Sequence, residues 1–69
     1  MKKIINIVFC PQHIDDTQAA INEGLNLIKD GETVTLECDV NLIKIECLSL
    51  LASWGFQFSP HTNRFIKSK

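Results

Sequence analysis

Thr33-Val34-Thr35-Leu36-Glu37-Cys38 decides how this chain is read. Val34, Leu36 and Cys38 alternate with Thr33, Thr35 and Glu37, the period of two that turns one face of a strand inward. Just upstream, Ile14, Ile21, Leu25 and Ile28 share one stripe of a helix expected over 15–29. Asp15 and Gln18 have capping-box spacing at its start, and Gly31 supplies a left-handed stop. Farther upstream, Lys3 to Phe9 is rich in β-branched residues and reads as a buried first strand over 3–9. Downstream, Asp39 or Asn41 caps a second helix over 41–54, which Gly55 closes. Its core stripe is Ile43, Cys47, Leu50, Leu51 and Trp54. Phe56 and Phe58 alternate with Gln57 and Ser59, a short strand over 56–59. Pro60-His61-Thr62-Asn63 is turn chemistry, and a last strand over 63–67 returns as a hairpin.

The order is β-α-β-α-β-β. Right-handed crossovers run the first three strands in one direction and the hairpin reverses the fourth. The expected class is α/β: a two-layer sandwich, a mixed four-stranded sheet with two helices on one face.

The chain has 69 residues and a mass of 7.8 kDa. A folded monomer of that size exposes about 4,400 Å² and buries about 60% of its unfolded surface. One domain, 1–69, with one modest core is expected. A hydrophobic content of 45% with 22% charged residues excludes a disordered chain. Seven basic and eight acidic residues leave a net charge of −1, without the basic excess of a nucleic-acid binder. The apolar run Ile4 to Cys10 is too short to cross a membrane, and no cleavage-type sequence follows it. Cys10, Cys38 and Cys47 are odd in number and lack C-x-x-C spacing, so a cytoplasmic location with free thiols is expected.

The C-terminal ends of parallel strands form the edge where open α/β sheets bind ligands. Cys10, His13 and Asp15 follow strand one, Cys38 and Asp39 end strand two, and His61 follows strand three. Cys10-Pro11 carries the most chemistry. A cysteine between a strand and a helix N-terminus feels the positive end of the helix dipole, which favours the nucleophilic thiolate, and a protonated His13 acts in the same sense. Cys38 is equally readable as a core residue, Asp39 as a cap and His61 as a solvated turn residue. Cys10, His13, Cys38 and His61 amount to four soft donors, but without zinc-ribbon spacing. Neither a metal nor a cofactor is expected.

Cys10-Pro11, Gly31-Glu32, Asp39 and Gly55, set in this order of elements, resemble the TusA-like (SirA-like) sulfur-carrier family over nearly the whole chain. The resemblance implies a β-α-β-α-β-β two-layer sandwich. It also implies that Cys10 accepts sulfane sulfur as a persulfide from a donor protein and passes it to an acceptor protein. His13 stands where the family motif Cys-Pro-x-Pro has its second proline, and the stretch from Cys10 to Gly31 is about one helical turn longer than in the family.

The alternative reading comes from helix two. Nine of the thirteen residues from Leu42 to Trp54 are apolar, more than one sheet face needs. The excess suits a homodimer or a protein-binding patch. On that reading the chain is a non-catalytic interaction or regulatory module, acting through residues 42–54 or the strand-end rim.

Overall fold

The structure is a computed structural model and describes residues 2–69. The elements are β1 (Ile4–Val8), α1 (Ile14–Leu27), β2 (Thr33–Glu37), α2 (Ile45–Ser53), β3 (Gln57–Ser59) and β4 (Arg64–Ser68). They build the expected α/β sandwich. The sheet order is β1-β2-β4-β3. β1 pairs parallel with β2, and β4 runs antiparallel between β2 and β3. The accessible surface is 4612 Å².

β2 behaves as its alternation demands. Val34 and Leu36 are fully buried and Cys38 nearly so, beneath Ile21 and Ala20 of α1 and Leu51 of α2. Leu36 pairs with Ile7 on one side and Phe65 on the other, so three apolar side chains cross the sheet in one row. The opposite face carries polar partners. Thr35 Oγ1 donates to Asn6 Oδ1 at 2.7 Å, Asn6 Nδ2 donates to Glu37 Oε1 at 3.1 Å, and Arg64 Nε reaches the same oxygen at 3.1 Å. This polar row satisfies Thr35, which is buried although no helix covers it.

α1 starts one residue before its expected span of 15–29, and two residues before a helix capped by Asp15 would start. His13 is the N-cap, in extended conformation, and Asp16 Oδ2 reaches back to its N–H at 3.1 Å. The helix buries Thr17, Ala20, Ile21 and Gly24, while Ile14 stays exposed before the sheet begins. It ends at Leu27, so Gly31 serves the turn into β2 and not the helix cap. Gly24 is where helix and sheet touch most closely. A Cβ built there lies 2.7 Å from Val34 Cγ2 and 3.5 Å from Ile7 Cδ1. Helix propensity alone favours alanine over glycine by about 1 kcal/mol. The overpacking against a rigid, fully buried Val34 costs about 1–3 kcal/mol. Gly24→Ala is therefore expected to lower the urea midpoint, and adding Val34→Ala is expected to cancel part of that loss in a double-mutant cycle. A raised midpoint for the single variant would refute the close contact.

α2 differs from its expected span of 41–54. Asp39 does not cap it: Asp39 Oδ1 accepts from Asn41 N at 3.0 Å, and Asp39 O accepts from Leu42 N at 3.0 Å. This local turn competes with helix entry, and the helix waits until Lys44 as its N-cap. Cys47 and Leu51 are fully buried, with Ile43 and Leu50 partly buried against the core. Trp54 leaves the expected core stripe. It is the C-cap, past the last helical turn, and is 39% exposed. Gly55 does end the helix as expected. Its φ is +87°, and Phe56 N donates to Leu51 O while Gly55 N donates to Ala52 O, both at 3.0 Å, the pattern of a Schellman cap. That reversal drops Phe56 into the core beside Leu51.

Glu32 ties the α1–β2 turn to the start of β1. Its Oε1 accepts from Lys29 N at 2.7 Å and its Oε2 from Lys3 N at 3.2 Å. The bond from Lys29, then that from Lys3 and the charges of both lysines, hold its carboxyl below the ordinary value of 4.5 despite an opposing desolvation effect. A depressed carboxyl contributes stability that is present above 4.5 and lost as pH falls through the lower native value. The urea-midpoint difference between wild type and Glu32→Gln should thus be larger at about pH 7 than at about pH 3. Equal differences at both pH values would count against this role.

Candidate functional site

Two loops leave the same edge of the sheet side by side, because β1 and β2 are adjacent and parallel. After β1, Phe9 stays in register, its N–H donating to Glu37 O at 3.0 Å. The chain then turns sharply, with Gln12 N donating to Cys10 O at 3.0 Å. Pro11 is buried and Cys10 is exposed, so the proline anchors the turn while the cysteine faces solvent. After β2, the Asp39–Leu42 turn rises opposite.

Between these loops lies a cleft of about 570 Å³, lined by Phe9, Cys10, Pro11, Gln12 and His13 from one side and Asp39, Leu42 and Lys44 from the other. Of the expected site residues, Cys10, His13 and Asp39 are brought together. Cys38 is not, since its side chain points into the core. Burial pushes the Cys38 thiol up, and the neighbouring Asp39, Cys47 and Cys10 act in the same direction. Cys47 is fully buried. Asp15 lies exposed in the first turn of α1. His61 sits in the β3–β4 turn, and β4 separates β3 from β2, so the third strand end is remote from the first two. Among the described residues, no three His, Cys, Asp or Glu side chains converge to hold a metal ion. Cys10, His13, Cys38 and His61 therefore form no ligand set.

Leu42 and Lys44 also line the cleft, although the sequence places both within helix two and not at the strand-end rim. Leu42 is 71% exposed and forms an apolar lip opposite Cys10. Lys44 offers an ammonium group in the same cleft as the Asp39 carboxylate, so fixed charge there is balanced. Chemically the cleft presents one accessible sulfur, one imidazole, one amine, one carboxylate and an apolar lip.

A second exposed region is formed by residues that do not line this cleft. Ile45 is 81% exposed, and Leu48, Phe58 and Trp54 are each about two-fifths exposed. Leu48 and Phe58 border an almost wholly apolar groove of about 270 Å³ with Val40, Ile43 and Phe65. No helix among the described residues is long and apolar enough to cross a membrane.

Comparison with protein-family models, with curated proteins and with solved structures finds no match to this chain.

Proposed function

We propose that this protein is a small sulfur carrier whose working group is Cys10. The observation that supports this reading is the segregation of its thiols: Cys10 stands exposed in the cleft, whereas Cys38 and Cys47 are buried. The Cys10-Pro11 dipeptide after β1 carries the resemblance to TusA-like sulfur carriers. In the proposed step, the Cys10 thiolate attacks the outer sulfur of a donor persulfide. The donor S–S bond breaks, the donor thiolate leaves with the electron pair, and a persulfide forms on Cys10. An acceptor thiolate repeats the displacement on that outer sulfur. No net oxidant is consumed, because the sulfur moves at the same oxidation level. His13 accepts the thiol proton, and Lys44 offers a positive partner to the persulfide anion. No cofactor is needed. The partners are a protein donor and a protein acceptor, and three unpaired thiols suit the reducing cytoplasm.

The test uses a protein donor already loaded with persulfide. Intact mass should show a gain of about 32 Da on the wild type, reversed by reductant and absent from Cys10→Ser. Transfer should also outpace transfer to a free cysteine derivative at equal thiol concentration. Equal rates, or labelling of Cys38 or Cys47 in place of Cys10, would overturn the proposal. In that event the interaction-module reading takes over, supported by the exposed Ile45, Leu48 and Phe58 beside their apolar groove.

A further inference from the structure

The two edges of the sheet are not alike. β3, at one edge, is three residues long and runs into Pro60, a common way of blunting an edge. β1, at the other, has five residues, Ile4-Ile5-Asn6-Ile7-Val8, with no proline, no glycine and no charge. Its odd positions face β2: Lys3 O accepts from Thr33 N at 3.0 Å, and Phe9 N donates to Glu37 O at 3.0 Å. By strand alternation, Ile4, Asn6 and Val8 aim their N–H and C=O groups outward. The same residues leave apolar side chains in water, with Ile4 74% and Val8 71% exposed.

We infer that β1 is a self-association edge, which pairs antiparallel with β1 of a second copy about a two-fold axis at Asn6. The strand is self-complementary in that register. Ile4 falls opposite the second copy's Val8 on the open face, and Ile5 opposite the second copy's Ile7 on the helix face, each twice by symmetry. The outward N–H and C=O groups of Ile4, Asn6 and Val8 then all find partners. Charge agrees with the register. Lys3 shares the helix-facing side of the strand with Ile5 and Ile7, and falls opposite the second copy's Phe9. Beside Phe9 runs a shallow groove of about 470 Å³ between β1 and α1, whose lining includes Ile7, Ala19, Asp16 and Glu23. Each copy therefore delivers an ammonium group to the acidic groove of the other. The backbone pairing ends before Cys10, although Cys10 also borders this groove. An interface built on five-residue strands belongs to the small, weak class, so association at high micromolar concentration is expected.

Sedimentation of the whole chain tests this at up to about 1 mM, a range that reaches such weak pairs. The wild type should approach twice the 7.8 kDa chain mass, and added salt should weaken association. Val8→Lys, at an exposed position, should weaken it at least tenfold with an unchanged circular dichroism spectrum. Ile4→Pro should do the same, because it removes an outward N–H that β2 does not use, at the first residue of an edge strand whose side chain is exposed. Lys3→Glu should weaken it as well. A wild type that stays monomeric throughout overturns the inference. So does a dimer that survives Val8→Lys but dissociates with Ile45→Lys, since that dimer uses the apolar face of α2. A dimer strengthened by salt counts against it in the same way.

Discussion

Leu36→Ala should come close to unfolding this domain. Leu36 has no exposed surface, stands at the middle of β2 and lies between Ile7 and Phe65 in the paired register. Both helices contribute to the cluster it belongs to, through Ile21 and Leu51. Truncation there removes three carbons that the backbone of a paired strand cannot move in to replace. Large-to-small changes at such sites cost about 2–5 kcal/mol. A 69-residue domain has only about 3–10 kcal/mol of stability in all. Thermal unfolding should shift downward by about 10 °C or more, and the urea midpoint should fall with it. Ile4→Ala, on the same sheet but 74% exposed, is the control and should change stability by less than about 0.5 kcal/mol. A loss below about 1 kcal/mol for Leu36→Ala would mean that the centre of the core lies elsewhere.

The elements that could be read from the chain are those whose signal is periodic. Thr33 to Glu37 states its own inward face, and once it is a strand the flanking helices have only one face to cover. Signals that depend on a competing local bond were not legible. Asp39 has the composition of a helix cap, yet its carboxylate bonds two residues on, at Asn41, and its carbonyl bonds Leu42. That turn delays α2 to Ile45, while the reversal at Gly55 leaves Trp54 as a part-exposed C-cap, so Cys47 and Leu51 are the fully buried members of the expected stripe. The same turn brings Leu42 and Lys44 to the cleft, so these two residues were invisible to any reading that began the helix at residue 41. The strand-end rim itself was legible, because parallel strands must end on one edge. Its membership was not. The hairpin inserts β4 beside β2 and sends β3 with His61 to the far side, a choice of pairing that spacing along the chain does not encode.

The three thiols should differ in alkylation rate by orders of magnitude, and destabilising the core should change two of them only. Cys10 is exposed in the native state and needs no opening to react. Cys47 has no exposed surface, and Cys38 is buried with its thiol pushed up by that burial. A buried thiol reacts through the opened fraction of molecules. Opening that costs about 4 kcal/mol or more protects it by about a thousandfold or more. Alkylation under native conditions, followed by peptide mass analysis, should therefore modify Cys10 first and leave Cys38 and Cys47 protected. Leu36→Ala then supplies the internal check. Losing about 2–5 kcal/mol should speed the reaction of Cys47 by about 30-fold to several thousandfold, at tenfold per 1.4 kcal/mol. Cys10 should keep its wild-type rate, because its exposure does not depend on opening. If Cys10 accelerated in parallel with Cys47, its sulfur would be shielded in the folded chain, and a carrier role through the cleft would lose its structural support. If Cys47 reacted as fast as Cys10 in the wild type, α2 would be opening at little cost, and the core described around Leu51 would be wrong.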